Sequence, residues 1–125
     1  MGIGTDTFDR IERIHGMDIQ FSRGEESCAP LRGLFSVKNY TLRDAAGVQL
    51  VHTSHDVALR ADQLNLNDER IQPRRGDIVT RIQCGRRQVF EVQFPDTTQP
   101  PFRWSDPAGE ILRVHTSLIL DEVLT

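Results

Sequence analysis

The chain has 125 residues, 38% of them hydrophobic, and a formal net charge of −3 at pH 7. This length suits one ordinary domain, and the acidic balance argues against sequence-independent binding to nucleic acid, which needs a basic surface. Because no apolar run is long enough for a membrane span or for the core of a signal peptide, we expect a soluble protein with no membrane partner.

The N-terminal segment predicts a short amphipathic helix. Phe8, Ile11 and Ile14 recur at every third position among charged residues, and Gly16 is a natural stop. Such a short helix is marginal in water because helix nucleation is costly. We therefore expect residues 1–16 to form an arm whose helix docks on its own domain or, as the alternative, on a neighbouring subunit.

Two strands joined by a polar turn are predicted next. Residues 17–22 alternate between apolar and polar side chains, which is the period-two pattern of a half-buried strand. Residues 31–37 alternate in the same way and place Phe35 on the inner face. Leu34 lies on the opposite face, which indicates that part of the outer surface is covered.

Residues 38–55 show no long, clean period. We interpret them as a long mobile loop, and the alternative is a small hairpin with Gly47 at the bend. Connections of this length are uncommon in compact domains and are usually functional or disordered. The apolar side chains of this segment weigh against disorder as the whole explanation.

Residues 78–94 predict a β-hairpin, the best-specified element of the chain. Ile78 and Ile82 share one parity, which we assign to the inner face. Gly85 and Arg86 separate the two strands and suit a two-residue type II′ turn. The second strand places its aromatic residues inward and ends before a proline, which cannot donate to a ladder.

Further strands flank this hairpin. Residues 57–62 alternate and predict a strand, and residues 63–70 form a polar link anchored by two leucines. After the hairpin, residues 102–104 predict a short strand, and residues 111–120 give the cleanest alternation in the chain. We expect residues 121–125 to be a frayed tail.

Six or seven short strands at regular spacing predict an all-β fold, a small antiparallel β-barrel or sandwich with one short N-terminal helix. The barrel would be a single domain spanning residues 17–125. Side chains on the inner parity of their strands should share one core, and the predicted core residues are Phe35, Ile78, Ile82, Phe90, Val92 and Val114.

No motif for catalysis, a cofactor or a metal is present. His52 and His55 lack the further ligands that a zinc site needs. Cys28 and Cys84 have no metal-like spacing, and we interpret them as two free thiols of a reducing cytoplasm, with one disulfide as the alternative. We therefore expect a protein that is not an enzyme and that binds neither cofactor nor metal.

The order of several short motifs resembles the small head–tail joining proteins of lambda-like bacteriophages. In that family a mobile N-terminal segment precedes two strands, and the second carries an Arg-Gly-hydrophobic-Phe sequence, found here within residues 31–35. A long loop, a strand and a polar link follow. They lead to a hairpin introduced by Arg-Arg-Gly-Asp, here residues 74–77. Order and spacing agree from Phe8 to Phe94.

The resemblance implies a structural protein of the phage neck, found in the virion and in the host cytoplasm during assembly. It would be a stopper, a head-completion subunit whose hexameric or dodecameric ring closes the filled head and provides the tail attachment site. Its partners would be other copies, portal or adaptor proteins on the head side, and tail terminator or tail tube proteins. Packaged DNA would pass through without tight binding.

Two alternatives to this function stay open. One is another phage ring component, a tail terminator or an adaptor; the other is a small monomeric barrel that binds a ligand or nucleic acid. For a ring subunit, the arm and the 38–55 segment would be the assembly elements, because both carry more apolar residues than a solvated segment needs. The predicted contact residues are Phe8, Ile11, Ile14, Lys38, Tyr40, Leu42, Arg43 and Leu50.

Overall fold

The computed structural model describes residues 5–124, so the first residues of the predicted arm and the last residue of the predicted tail lie outside it. Within this range the chain forms one α-helix, α1 (Thr5–His15), a 3-10 turn (Ala61–Gln63) and eleven strands. In chain order the strands are β1 (Met17–Arg23), β2 (Glu26–Ser27), β3 (Leu31–Arg43), β4 (Gln49–Arg60), β5 (Asn65–Leu66), β6 (Glu69–Arg70), β7 (Ile78–Gln83), β8 (Arg86–Val92), β9 (Phe102–Trp104), β10 (Ile111–Val114) and β11 (Thr116–Val123).

The strands form a strongly curled antiparallel sheet, a half-barrel. Its strand order is β11-β8-β7-β1-β3-β4-β10-β9, with β2 beside β1, and β5 and β6 form a separate two-stranded sheet. Only His115 separates β10 from β11, yet β10 pairs with β4 and β11 pairs with β8. The bend at His115 therefore connects opposite parts of the curled sheet. The predicted all-β fold with a short N-terminal helix is confirmed.

The core fills the concave side of the curled sheet. Phe90, Val92 and Val114 are fully buried, as predicted. Phe35 is partly exposed, but its ring lies 5.0 Å from that of Phe90 and packs against the same cluster. Burying one such side chain contributes about 1.5–3 kcal/mol. The other large, fully buried members of this core are Phe21, Val57, Leu59, Leu64, Val79 and Leu112.

The predicted parity of β7 is wrong. Val79 faces Phe90 across the hairpin and is fully buried, whereas Ile82 is 63% exposed and Ile78 is only half-buried. Branched apolar residues occur on both faces of this strand, so the alternation by itself does not show which face meets the core. Arg81 occupies the inner parity, with its guanidinium carbon 4.1 Å from the ring centroid of Phe35. A long arginine can cover apolar surface while its charge stacks on an aromatic ring.

The turn between β7 and β8 also differs from the predicted type II′ turn. Gln83 pairs with Arg86, so the two turn residues are Cys84 and Gly85. Their φ values are 52° and 74°. Two positive φ values define a type I′ turn, whose twist matches that of the flanking strands.

In the single chain, α1 docks on its own domain. Phe8 is buried against Ala58 and Ile111 on the outer face of the sheet, and Leu34 packs beside them. The expectation that the outer face around Leu34 is covered is thereby confirmed. The helix is tied down further by ion pairs from two strand arginines, Arg32 to Glu12 at 2.6 Å and Arg60 to Asp9 at 2.8 Å.

The predicted strand over residues 111–120 is divided in the structure. It changes partner at His115, because the sheet curls so strongly that one straight strand cannot follow both neighbours. β11 then continues to Val123, so the prediction of a frayed tail is wrong for residues 121–123. A bulge between Leu118 and Leu120 alters the register, and both side chains are exposed rather than buried.

Candidate assembly surface

Residues 38–55 belong to a long hairpin. β3 and β4 pair without interruption from Leu34 and Ala58 to Arg43 and Gln49. The bend includes Gly47 at φ 82°. The loop interpretation is therefore wrong about secondary structure, and the hairpin alternative describes what is present. The period was hard to recognise because both faces of the far half are largely exposed, so neither face is purely apolar.

The tip of this hairpin has a defined geometry within the single chain. Asp44 Oδ1 accepts hydrogen bonds from the backbone N–H groups of Ala46 and Val48, both at 2.9 Å. The Asp44 N–H donates to the Val48 carbonyl at 3.0 Å. A short acidic side chain that satisfies its own turn stabilises the bend locally. The tip does not need a partner to make these bonds.

A buried polar network lies at the root of the hairpin. The carboxylate of Asp56, 1% exposed, accepts from Tyr40 Oη at 2.5 Å, from Ser54 Oγ at 2.6 Å and from His115 Nδ1 at 2.9 Å. Arg113 Nη1 lies 3.6 Å from the second carboxylate oxygen. The network joins both hairpin strands to the bend between β10 and β11, so it fixes the direction in which the hairpin leaves the sheet.

The hydrogen bonds decide the charge of this network. Burial by itself would raise the pKa of the Asp56 carboxyl, but the hydrogen bonds from His115, Ser54 and Tyr40 outweigh it and lower that pKa below its ordinary value. An ionised carboxylate only accepts, so Nδ1 of His115 carries a proton. Burial, followed by the hydrogen bond to Asp56, raises the pKa of Tyr40 to about 12.

The same geometry does not set up nucleophilic catalysis. Ser54 and His115 both donate to Oδ1 of Asp56, whereas an activated serine must donate to its base. Among residues 5–124 no three His, Cys, Asp or Glu side chains are arranged to hold a metal ion. His52 and His55 instead lie against aromatic rings. In the same range, no helix is long and apolar enough to cross a membrane.

The far half of the hairpin exposes aliphatic side chains. Val51 is 71% exposed. We name this group the hairpin patch, and its members are Val37, Val48, Leu50 and Val51. Within the described chain, residues 49–53 pair only with β3, and residues 34–43 pair only with β4. The hairpin patch therefore lies on a two-stranded ribbon whose outer edges have no strand neighbour.

The predicted contact residues do not form one continuous surface. Lys38, Arg43 and Leu50 are exposed on the hairpin. Tyr40 and Leu42 are half-buried on the face that Leu50 shares, near Phe94 and Pro95 respectively. None of these placements shows a contact with another molecule, so the contacts stay predictions.

The helix residues lie at the root of the hairpin, where α1 packs beside Leu34. Ile14 is 70% exposed and Ile11 is half-buried. Phe8 anchors the helix to its own domain, so it could reach a neighbouring subunit only if α1 left its site.

Sequence reasoning missed a second group of exposed apolar side chains, on β7 and β11 and at the residue after β11. We name it the C-terminal patch, and its members are Ile82, Leu118, Ile119, Leu120, Val123 and Leu124. The alternation of residues 111–120 suggested that Leu118 and Leu120 face the core. A run of three consecutive apolar residues cannot place all of them on one face of a strand, and this run was the available signal.

The comparison with protein families covers almost the whole chain. A family model for phage head–tail joining proteins matches residues 6–123. The match includes the segment after Pro95, which the motif resemblance did not reach. No curated protein matches the chain.

Proposed function

The chain belongs to the phage head–tail joining protein family, and from this premise we propose that it is a stopper, a ring subunit that closes the filled head and provides the tail attachment site. Membership makes it a structural protein of the phage neck, located at the head–tail junction of the virion, where it interacts with head and tail components. The family is structural and is not a class of enzymes.

The unpartnered hairpin is the observation that supports this proposal most. It carries exposed aliphatic side chains on a ribbon with two free edges, and soluble proteins normally cover or charge such edges. The Asp56 network holds the ribbon at its root, and the Asp44 turn orders its tip. An ordered element with exposed aliphatic side chains and free strand edges suits a protein whose task is to bind other proteins.

We infer that the exposed residues Lys38, Arg43, Leu50 and Ile14 contact other subunits or partners. Tyr40 holds the hairpin through its hydrogen bond to Asp56 and its ring contact with Phe94, and Leu42 lies beside Pro95. The partners would be further copies in a ring, portal or adaptor proteins, and tail terminator or tail tube proteins, with assembly in the host cytoplasm. The net charge of −3 favours a channel through which DNA passes without tight phosphate binding.

A monomeric barrel that stacks nucleic acid bases is less well supported. Such a protein needs exposed aromatic rings over a basic groove. Phe90 and Phe94 are buried. Arg75 donates to three backbone carbonyls, including that of Asp96 at 2.9 Å, so it serves the fold.

Trimming the hairpin tests the proposed function. Tyr40 and His52 are direct partners, so residues 41–51 can be replaced by Asn-Gly, which closes a two-residue turn and keeps the Asp56 network. We expect this variant to fold as a monomer. In cells infected by a phage that lacks its own copy, it should yield filled heads and complete tails that do not join.

The matched control is Cys84→Asn, which gives the other hairpin an Asn-Gly tip and should support joining. If the trimmed protein still yields infectious particles, the hairpin is a passive connection and the proposal fails. Tails of uncontrolled length would identify a tail terminator instead.

A further inference from the structure

We propose that Thr116 positions the β3–β4 hairpin, because its hydroxyl joins β11 to β4 at the point where strand pairing along β4 stops. The inference deepens the proposed stopper function, on which it rests, by naming the residue that sets the direction of its assembly element. We call the contact between residues 54–56 of β4 and residues 115–116 the seam.

Backbone pairing along this edge of β4 ends at Val57. β10 pairs with residues 57–60, and the last pair joins Val57 to Val114. After the bend at His115 the chain turns away from β4, and β11 pairs with β8 instead. Among the described residues, β11 and β4 share no backbone ladder, so the hydrogen bonds that cross the seam come from side chains.

Side chains from both strands bridge the seam. The Thr116 hydroxyl donates to the carbonyl oxygen of His55 at 2.5 Å. From the other strand, the Ser54 hydroxyl donates to Asp56 Oδ1 at 2.6 Å and lies 3.4 Å from the carbonyl oxygen of Thr116. Asp56 Oδ1 also accepts from His115 Nδ1 at 2.9 Å. These bonds replace the backbone ladder that ends at β10.

The side chains of the seam are shielded from water. Thr116, Ser54, Asp56 and His115 are each no more than 1% exposed. A carbonyl oxygen that loses its donor beside such a dry contact stays unpaired unless the strands separate and admit water. Because the Thr116 hydroxyl supplies the donor for His55, it holds this part of β4 against β11.

The seam lies between the fixed part of β4 and its free part. Residues 57–60 are held by β10, whereas residues 49–53 pair only with β3. Farther along the hairpin, Tyr40 and His52 contact the ring of Phe94. Such apolar contacts are less directional than hydrogen bonds. The seam therefore provides the last directional bonds from β4 to the rest of the sheet before its free part begins.

Two substitutions separate the hydroxyl of Thr116 from its shape. Thr116→Val keeps the branched shape and removes the hydroxyl, whereas Thr116→Ser keeps the hydroxyl. Spin labels are attached at Val51→Cys, in the free part of β4, and at Gln83→Cys, at the exposed end of β7. All variants carry Cys84→Ser, because Cys84 is the exposed native thiol and Cys28 is buried. Double electron–electron resonance then measures the distance between the labels.

Loss of the hydroxyl should displace the hairpin. Thr116→Val should shift or broaden the distance between the labels, because β4 moves away from β11 until water reaches the His55 carbonyl. The amides of residues 50–55 should exchange about tenfold faster, the factor that the loss of one hydrogen bond gives to a local opening. Thr116→Ser should keep both the distance and the exchange rates of the parent protein.

Two further variants control for stability and folding. Val79→Ala opens a cavity in the core without removing a seam bond, so it should lower the stability and leave the distance between the labels unchanged. Ser54→Ala removes the other seam hydroxyl and should shift this distance as Thr116→Val does. It carries the test if circular dichroism shows that Thr116→Val does not fold.

The inference is overturned if neither Thr116→Val nor Ser54→Ala alters the distance or the exchange rates, or if Val79→Ala alters them equally. The trimmed hairpin tests the proposed function separately. If trimming abolishes head–tail joining while the seam variants leave the hairpin in place, the stopper function stands and the positioning role fails. If the seam variants displace the hairpin and the trimmed protein still joins heads to tails, the positioning role stands and the stopper function fails.

Discussion

The two long hairpins differ in how the rest of the chain surrounds them. β7 and β8 lie between β1 and β11, so Val79 and Phe90 are fully buried. The far half of β3 and β4 has no strand on either outer edge, and Val37 and Val51 are exposed. Both hairpins bend through a glycine at positive φ and carry similar residue types. Exposure is therefore set by neighbouring strands rather than by the local pattern of a hairpin.

Truncating one apolar side chain to alanine in each hairpin should give the largest difference in the free energy of unfolding. Phe90→Ala should lower the free energy of unfolding by about 3–5 kcal/mol, because it leaves a cavity in the core. Leu50→Ala should cost less than about 1 kcal/mol, because the side chain is half-exposed. Urea denaturation followed by circular dichroism measures both. Equal losses would show that the far half of β3 and β4 is part of the core.

Substitution of Asp56, at the root of the exposed hairpin, should have the next largest effect on the free energy of unfolding. Asp56→Asn should cost about 3 kcal/mol at neutral pH, because an amide presents a donor where three donors converge. The pKa of Asp56 is lower in the folded state, so its contribution is full above the ordinary carboxyl pKa of about 4 and is lost as pH falls through the folded pKa. Urea denaturation at decreasing pH should show that the difference in free energy of unfolding between the wild-type protein and Asp56→Asn becomes smaller. If this difference does not change with pH, the carboxylate charge of Asp56 does not stabilise the root of the hairpin.

Substitution of Tyr40 should have a smaller effect on the free energy of unfolding than substitution of Asp56. Tyr40→Phe removes one donor to Asp56 and should cost about 1.5 kcal/mol. The folded pKa of about 12 exceeds the ordinary value of about 10, so the unfolded state loses its proton first, and this contribution disappears as pH rises from about 10 to about 12. Tyr40 is the only tyrosine, so tyrosinate absorbance reports it directly. Titration near pH 10 in the folded protein would show that the hydroxyl is not held by Asp56.

Much of the fold could be predicted from local patterns. Apolar residues at every third position predict the helix around Phe8. Alternating apolar residues predict the strands and place Phe90 and Val92 on the inner face. Both spacings reflect the local geometry of the backbone, which short-range sterics impose on any chain. Leu34 is an apolar residue at an outward position of its strand, and this position indicated that the outer face there is covered. The assembly surface predicted in residues 38–55 stays a prediction, and the structure forms this segment into a hairpin rather than a loop.

The sequence by itself determined which residues share a face, how the strands alternate, and the motif order that resembles the family. Only the tertiary structure decided which face meets the core in β7, where Val79 is buried and Ile82 is not. It also decided that the strand through His115 changes partner, and that Asp56 and His115, far apart in the chain, share a hydrogen bond. Periodicity is local, whereas these features depend on how the sheet curls and which strands become neighbours.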